Sequence, residues 1–147
     1  MTDAHERATT PARHATPAAQ VAYRVVLAIF LLLGIIQIFL AGLGVFSLMS
    51  PNGGPGFDLH RTTGFIMSGV ALVILVLAVL ARAGARAVGI SVLILVLTGV
   101  VQSLLAALGE ETAFYGGLHA LDGLLAIGLA GHLLGTSRGD SAPVSRR

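Results

Sequence analysis

Cysteine is missing from the chain altogether, which rules out disulfides, thiolate-held iron–sulfur clusters, cysteine zinc sites and covalently attached c-type haem. Any metal centre here must draw on His, Asp, Glu and Gln. Lysine is missing too, so every basic residue is Arg, and charged residues make up only 11% of the 147 positions. All but two of the arginines, Arg24 and Arg61, lie outside the long apolar runs, without a clustered or aromatic-interleaved patch, so a sequence pI of about 9.9 does not point to nucleic acid. No soluble module is available to take a nicotinamide or a flavin. The GGPG at Gly53 to Gly56 lacks the strand–turn–helix setting that a phosphate loop needs.

What fills the chain instead is apolar. Hydrophobic residues make up 55% of it and the mean hydropathy is +0.89, outside the range of an ordinary soluble domain. Four segments, Val21 to Leu48, Leu59 to Ala81, Ala87 to Leu108 and Phe114 to Leu134, are each near the ~20 residues that span a bilayer. The expected fold is an all-α, integral membrane four-helix bundle over residues 21–136. Residues 1–20, rich in Ala, Thr and Pro, form a disordered tail, and residues 137–147 form a second tail.

Charge orients the bundle. Arg7 and Arg13 precede the first span and Arg24 stands near its start, Arg82 and Arg86 separate the second and third, and Arg138, Arg146 and Arg147 follow the fourth. The positive-inside rule therefore places both termini in the cytoplasm of a multi-pass plasma-membrane protein. Arg61 alone lies on the other side, with the Gly/Pro-rich first loop and the Glu110-Glu111 loop.

Polar residues within the spans are the informative ones, because hydrocarbon does not solvate them. Gln37 sits on a small-residue face with Gly34, Ala41 and Gly44, and Ser91, Thr98 and Gln102 form a stripe that ends at Gly109. Hydroxyls of that kind bond back to the i−4 carbonyl, so Ser91 and Thr98 are given no function. The last span carries His119, Asp122 and His132. His119 and Asp122 share a helix face with Gly123, which leaves room for a bulky ligand.

The two halves of the chain repeat. Gln37-IFLAGL-Gly44 overlays Gln102-SLLAAL-Gly109, and the next helix opens with Leu59-His60-Arg61-Thr-Thr-Gly64 in one half and Leu118-His119-Ala-Leu-Asp122-Gly123 in the other. Two parallel two-helix repeats related by an axis along the membrane normal set His60 and His119 across that axis, within about a helical turn of one depth. His132, thirteen residues from His119 and roughly 20 Å away along the helix, belongs elsewhere.

Haem b suits that pair: its iron takes axial imidazoles from opposing helices and its macrocycle takes an apolar slot. Gly64 and Gly123 clear space one turn below the ligands. Phe39, Phe46, Phe57 or Phe65 would line the slot, Arg61 would pair with a propionate, and Gln37, Gln102 and Asp122 would support the site.

The pattern Gln-x-x-Leu-small-small-x-Gly, a helix opening with His-Arg, the same Gln pattern again, and a helix with His near its outer end resembles one four-helix half of the haem A synthase family. That family binds b-type haem in such a bundle, and the resemblance implies His60 and His119 as the iron ligands. Phe57 stands where the catalytic half of the family has Glu, with Asp58 beside it, so haem binding rather than catalysis is what carries over. The chain is also similar to small bacterial four-helix membrane proteins with Leu-His-Arg and Leu-His-Ala-Leu signatures.

The expected function is electron transfer or haem handling in the lipid bilayer, with a membrane redox partner or a second copy of the chain as partner. Two other readings stand beside it. One is a proton-coupled small-molecule carrier built on Asp122; the other is a non-catalytic assembly or structural subunit held together by its small-residue faces.

Overall fold

Thr16 caps a helix that starts at Pro17, its hydroxyl accepting from the Ala19 backbone N–H at 3.4 Å. Proline at the first helical position needs no hydrogen-bond partner for its nitrogen. This helix, α1 (Pro17–Met49), is about 50 Å long at ~1.5 Å per residue. It starts earlier than the apolar run alone predicts, so residues 17–20 are helix rather than tail, and Arg24 lies two turns into the helix. Ser50-Pro51-Asn52-Gly53 ends it, with Gly53 at a φ of 67° that glycine adopts without steric cost.

The computed structural model describes residues 16–139, in which four helices are long and apolar enough to cross a membrane. The expected tails at 1–15 and 140–147 lie outside the described residues. After α1 come α2 (Asp58–Leu80), α3 (Ala85–Gly109) and α4 (Ala113–Gly139). The last helix thus continues past residue 136, where the second tail was expected to begin. Asp58 in the first turn of α2 complements the positive end of the helix dipole.

The helices run up and down, joined by loops too short for anything but antiparallel neighbours. Each packs against the two beside it, while α1 and α3, and α2 and α4, face one another across the diagonals. The architecture is the expected one: an all-α, multi-pass membrane bundle made of two parallel hairpin repeats. Its outer surface is apolar, with Leu32, Phe39, Leu72 and Leu124 all more than half exposed. A lipid bilayer is the environment that such a surface requires.

The packed core fills only half of the bundle. Tyr23, Leu27 and Phe30 of α1, Met67, Ala71, Ile74 and Ala78 of α2, Ile94 of α3, and Ala130 and Leu133 of α4 form it, at the three- and four-residue spacing of helix seams. Small residues on α2 and α4 let the helices approach closely. Toward the other end no residue of α3 between Gln102 and Gly109 is buried, and in α2 burial begins only at Met67. That is the histidine end; the start of α1, the end of α4 and the Arg82–Arg86 hairpin define the arginine end.

One irregularity breaks the repeat. Residues Leu97–Val101 of α3 form a π turn, with the Gln102 N–H reaching back to the Leu97 carbonyl. The Ser68 hydroxyl of α2 reaches the Thr98 carbonyl at 2.9 Å and its own Gly64 carbonyl at 3.2 Å. Ser91 and Thr98 bond back to Ala87 and Ile94, each at 2.9 Å, as expected of hydroxyls in a span.

Candidate paired-histidine site

His60 and His119 come from the diagonal helices α2 and α4, in the half of the bundle that lacks an apolar core. Their ring centroids are 6.0 Å apart with the planes at 63°. Diagonal helices do not touch through their backbones, so the two imidazoles meet across the central gap.

The support is the same in both halves. His60 Nδ1 lies 3.2 Å from the Gln37 carbonyl oxygen, and His119 Nδ1 lies 3.1 Å from the Gln102 carbonyl oxygen. A carbonyl only accepts, so each Nδ1 carries the proton and donates it. In a neutral imidazole the other ring nitrogen, Nε2, is then left with a free lone pair. This is the arrangement in which a second hydrogen bond fixes tautomer and ring orientation behind a metal-binding nitrogen.

The glutamines matter beyond their carbonyls. Gln102 Nε2 donates to the His119 carbonyl at 2.8 Å, so residues 102 and 119 are bonded in both directions. Gln37 repeats the placement, but its side-chain Oε1 is buried without a hydrogen-bond partner among the described residues.

The two glycines do a different job from the expected one. A Cβ at Gly64 would stand 3.1 Å from Gln37 Nε2, and one at Gly123 would stand 3.2 Å from Gln102 Nε2. The space they release is therefore taken by the amides, and they seat the glutamines rather than open room for a ligand.

Asp122 is 9% exposed and lies beside Gln102 and His119, one turn below that histidine. Its Oδ2 is buried and makes no hydrogen bond among the described residues. The first repeat has Thr63 at the matching position, so the carboxyl group belongs to one half only. Arg61 reaches the other repeat: its guanidinium is 3.8 Å from Glu110, with both side chains mostly exposed. Such a pair contributes little, ~0–1 kcal/mol.

Of the four phenylalanines expected around the site, only Phe57 is there, its ring centroid 6.2 Å from that of His60. Phe39, Phe46 and Phe65 are 68%, 71% and 67% exposed and face outward. His132 is exposed at the arginine end, far from the pair, where it borders a cavity with Tyr23 and Arg86. Sequence reasoning missed Ser68 as a cross-helix donor. The only hint of the π turn was a Gly99 set among β-branched Thr98, Val100 and Val101, a weak helix-forming run.

Comparison with known proteins adds one match. Residues 37–109, from Gln37 through α2 to the end of α3, match a family of unknown function, DUF6220. No curated protein and no solved structure matches the chain.

Proposed function

We propose that this protein is a membrane haem protein, in which His60 and His119 hold one b-type haem for electron transfer or haem handling. The observation that carries this reading is the 6.0 Å separation of two imidazoles whose Nδ1 atoms are both tied to carbonyls. Two imidazoles bound on opposite sides of one metal at ~2 Å bring their ring centroids roughly 6 Å apart. Among the described residues no cluster of three or more His, Asp or Glu side chains is present to cage a bare ion. A two-histidine set instead suits a metal that arrives with its own four in-plane donors.

The lack of an apolar core at the histidine end supports the same reading, as does the resemblance to a four-helix half of the haem A synthase family. Bound there, a haem supplies a one-electron couple. The chain supplies two oriented imidazoles, a shell with Gln37, Gln102 and Asp122, and Arg61 as a propionate partner in place of Glu110. The arginine end faces the cytoplasm of the plasma membrane in this reading, and the partner is a membrane redox protein or a second copy.

Absorption spectroscopy of the purified protein tests it. The expected result is a Soret band that shifts on reduction, is lost in His60→Ala and in His119→Ala, and survives His132→Ala. A protein that stays without a Soret band after incubation with haem, or a band unaffected by either substitution, overturns it. The unpartnered Asp122 Oδ2 favours one other reading, a proton-coupled carrier. That reading calls for a haem-free protein whose transport of a small solute is abolished by Asp122→Asn.

A further inference from the structure

At the arginine end two adjoining cavities, about 210 and 120 Å³, lie between α1, α4 and the α2–α3 hairpin, and share Tyr23, Ala83 and Ser137. Arg86 and His132 border the larger, Arg24 and Arg82 the smaller. Among the described residues the carboxylates are Asp58, Glu110, Glu111 and Asp122, all toward the histidine end. Arg24 is itself engaged, donating to the Ser137 carbonyl, so the positive charge that the cavities offer is that of Arg82 and Arg86, with no acidic side chain among the described residues on their walls.

Tyr23 is 3% exposed and borders both cavities. Its hydroxyl makes no close hydrogen bond among the described residues; Ser91 beside it gives its own proton to the Ala87 carbonyl at 2.9 Å and so offers the tyrosine an acceptor but no donor. A buried hydroxyl without a partner costs free energy unless something bonds to it.

Arg82 carries a second cost. After α2 ends, the Arg82 N–H bonds the Val79 carbonyl at 3.1 Å and the Ala83 N–H bonds the Ala78 carbonyl at 3.0 Å. This is the Schellman arrangement, whose left-handed residue is usually glycine. Here it is Arg82 at φ 50°. A charged side chain is held against the cavity in a conformation that L residues disfavour.

We propose that these cavities bind a phosphate-bearing anion, supplied by the headgroup of an anionic membrane phospholipid. Guanidinium forks and a tyrosine hydroxyl match phosphate oxygens. Basic pockets between spans at a membrane face take headgroups of this kind. The cavities are smaller than the ~300–1,000 Å³ that drug-sized ligands occupy, which fits a headgroup. Val21, Val25, Val79 and Leu80, all at least half exposed near this end, offer acyl chains an apolar bed that a free anion would not use.

The test uses the full chain, purified from membranes, with lipid retention read by native mass spectrometry. Wild type is expected to retain phosphatidylglycerol in preference to phosphatidylcholine. Arg82→Gly and Arg86→Gln each weaken retention about fivefold. Tyr23→Phe, which removes a hydroxyl with no close hydrogen bond among the described residues, weakens it while leaving thermal stability unchanged or raised. Arg82→Gly likewise relieves the left-handed arginine, so its loss of lipid is not a loss of fold. Equal retention of the two lipids, or variants that retain phosphatidylglycerol as wild type does, overturns the proposal. Inorganic phosphate added to lipid-free micelles distinguishes the source. A rise in melting temperature that the same variants abolish, without preferential lipid retention, assigns the site to a free anion; no rise alongside preferential retention assigns it to the lipid.

Discussion

Both histidines carry their proton on the nitrogen facing a main-chain carbonyl, and both carbonyls belong to glutamines whose amides lie over a glycine of the histidine's own helix. The two sites differ in one bond. The Gln102 amide is tied to the His119 carbonyl at 2.8 Å, whereas the Gln37 amide makes no such bond among the described residues. A methyl group at either glycine has to displace the amide. At residue 64 the amide yields freely, so Gly64→Ala is expected to stabilise the protein by up to ~1 kcal/mol through helix propensity. At residue 123 the same gain is offset by a hydrogen bond worth ~1 kcal/mol, and Gly123→Ala is expected to be neutral. Thermal unfolding of the two variants in one detergent measures that difference. At this scale much of the site was legible. Within an apolar span a polar side chain must turn inward, so Gln37, His60, Gln102, His119 and Asp122 announced themselves. The phenylalanines did not, because an aromatic ring is equally at home against lipid and against protein.

The elements owe their lengths to signals that differ in how plainly they read. Thr16-Pro17 is a cap followed by proline at the first helical position, a start signal that the apolar window passed over. The π turn in α3 had no comparable mark: it depends on how α2 presents Ser68 to the Thr98 carbonyl, a tertiary fact. The approach of α3 to α4 is likewise written in glycines whose purpose shows only in space. A Cβ at Gly109 would stand 3.1 and 3.2 Å from backbone atoms of Gly116, and backbone cannot swing aside as an amide can. Gly109→Ala is therefore expected to part the two helices at the histidine end and to destabilise the protein by about 1–3 kcal/mol. Denaturant unfolding in micelles checks the size. The matching position in the first repeat, Gly44, abuts the ring of Phe57 instead, so the two hairpins close on different partners despite a shared pattern.

Taken whole, the chain was readable as a bundle because four apolar runs, short loops and duplicated motifs all demand the same topology. What could not be read was which side of each helix faces lipid, since both sides are apolar and periodicity then carries little information. The absence of cysteine gives a clean test of orientation. With the arginine end in the cytoplasm, Asn52→Cys in the first loop is expected to react with an impermeant maleimide on intact cells, and Ala83→Cys only after permeabilisation; the reverse pattern refutes that topology. The carbonyl tethers have a last consequence. Because each imidazole leans on a peptide oxygen, no substitution at residue 37 or 102 deletes its acceptor. The tautomer is inherited from helix geometry, and each half of the duplicated scaffold can drift in its side chains while keeping one unprotonated ring nitrogen in reserve.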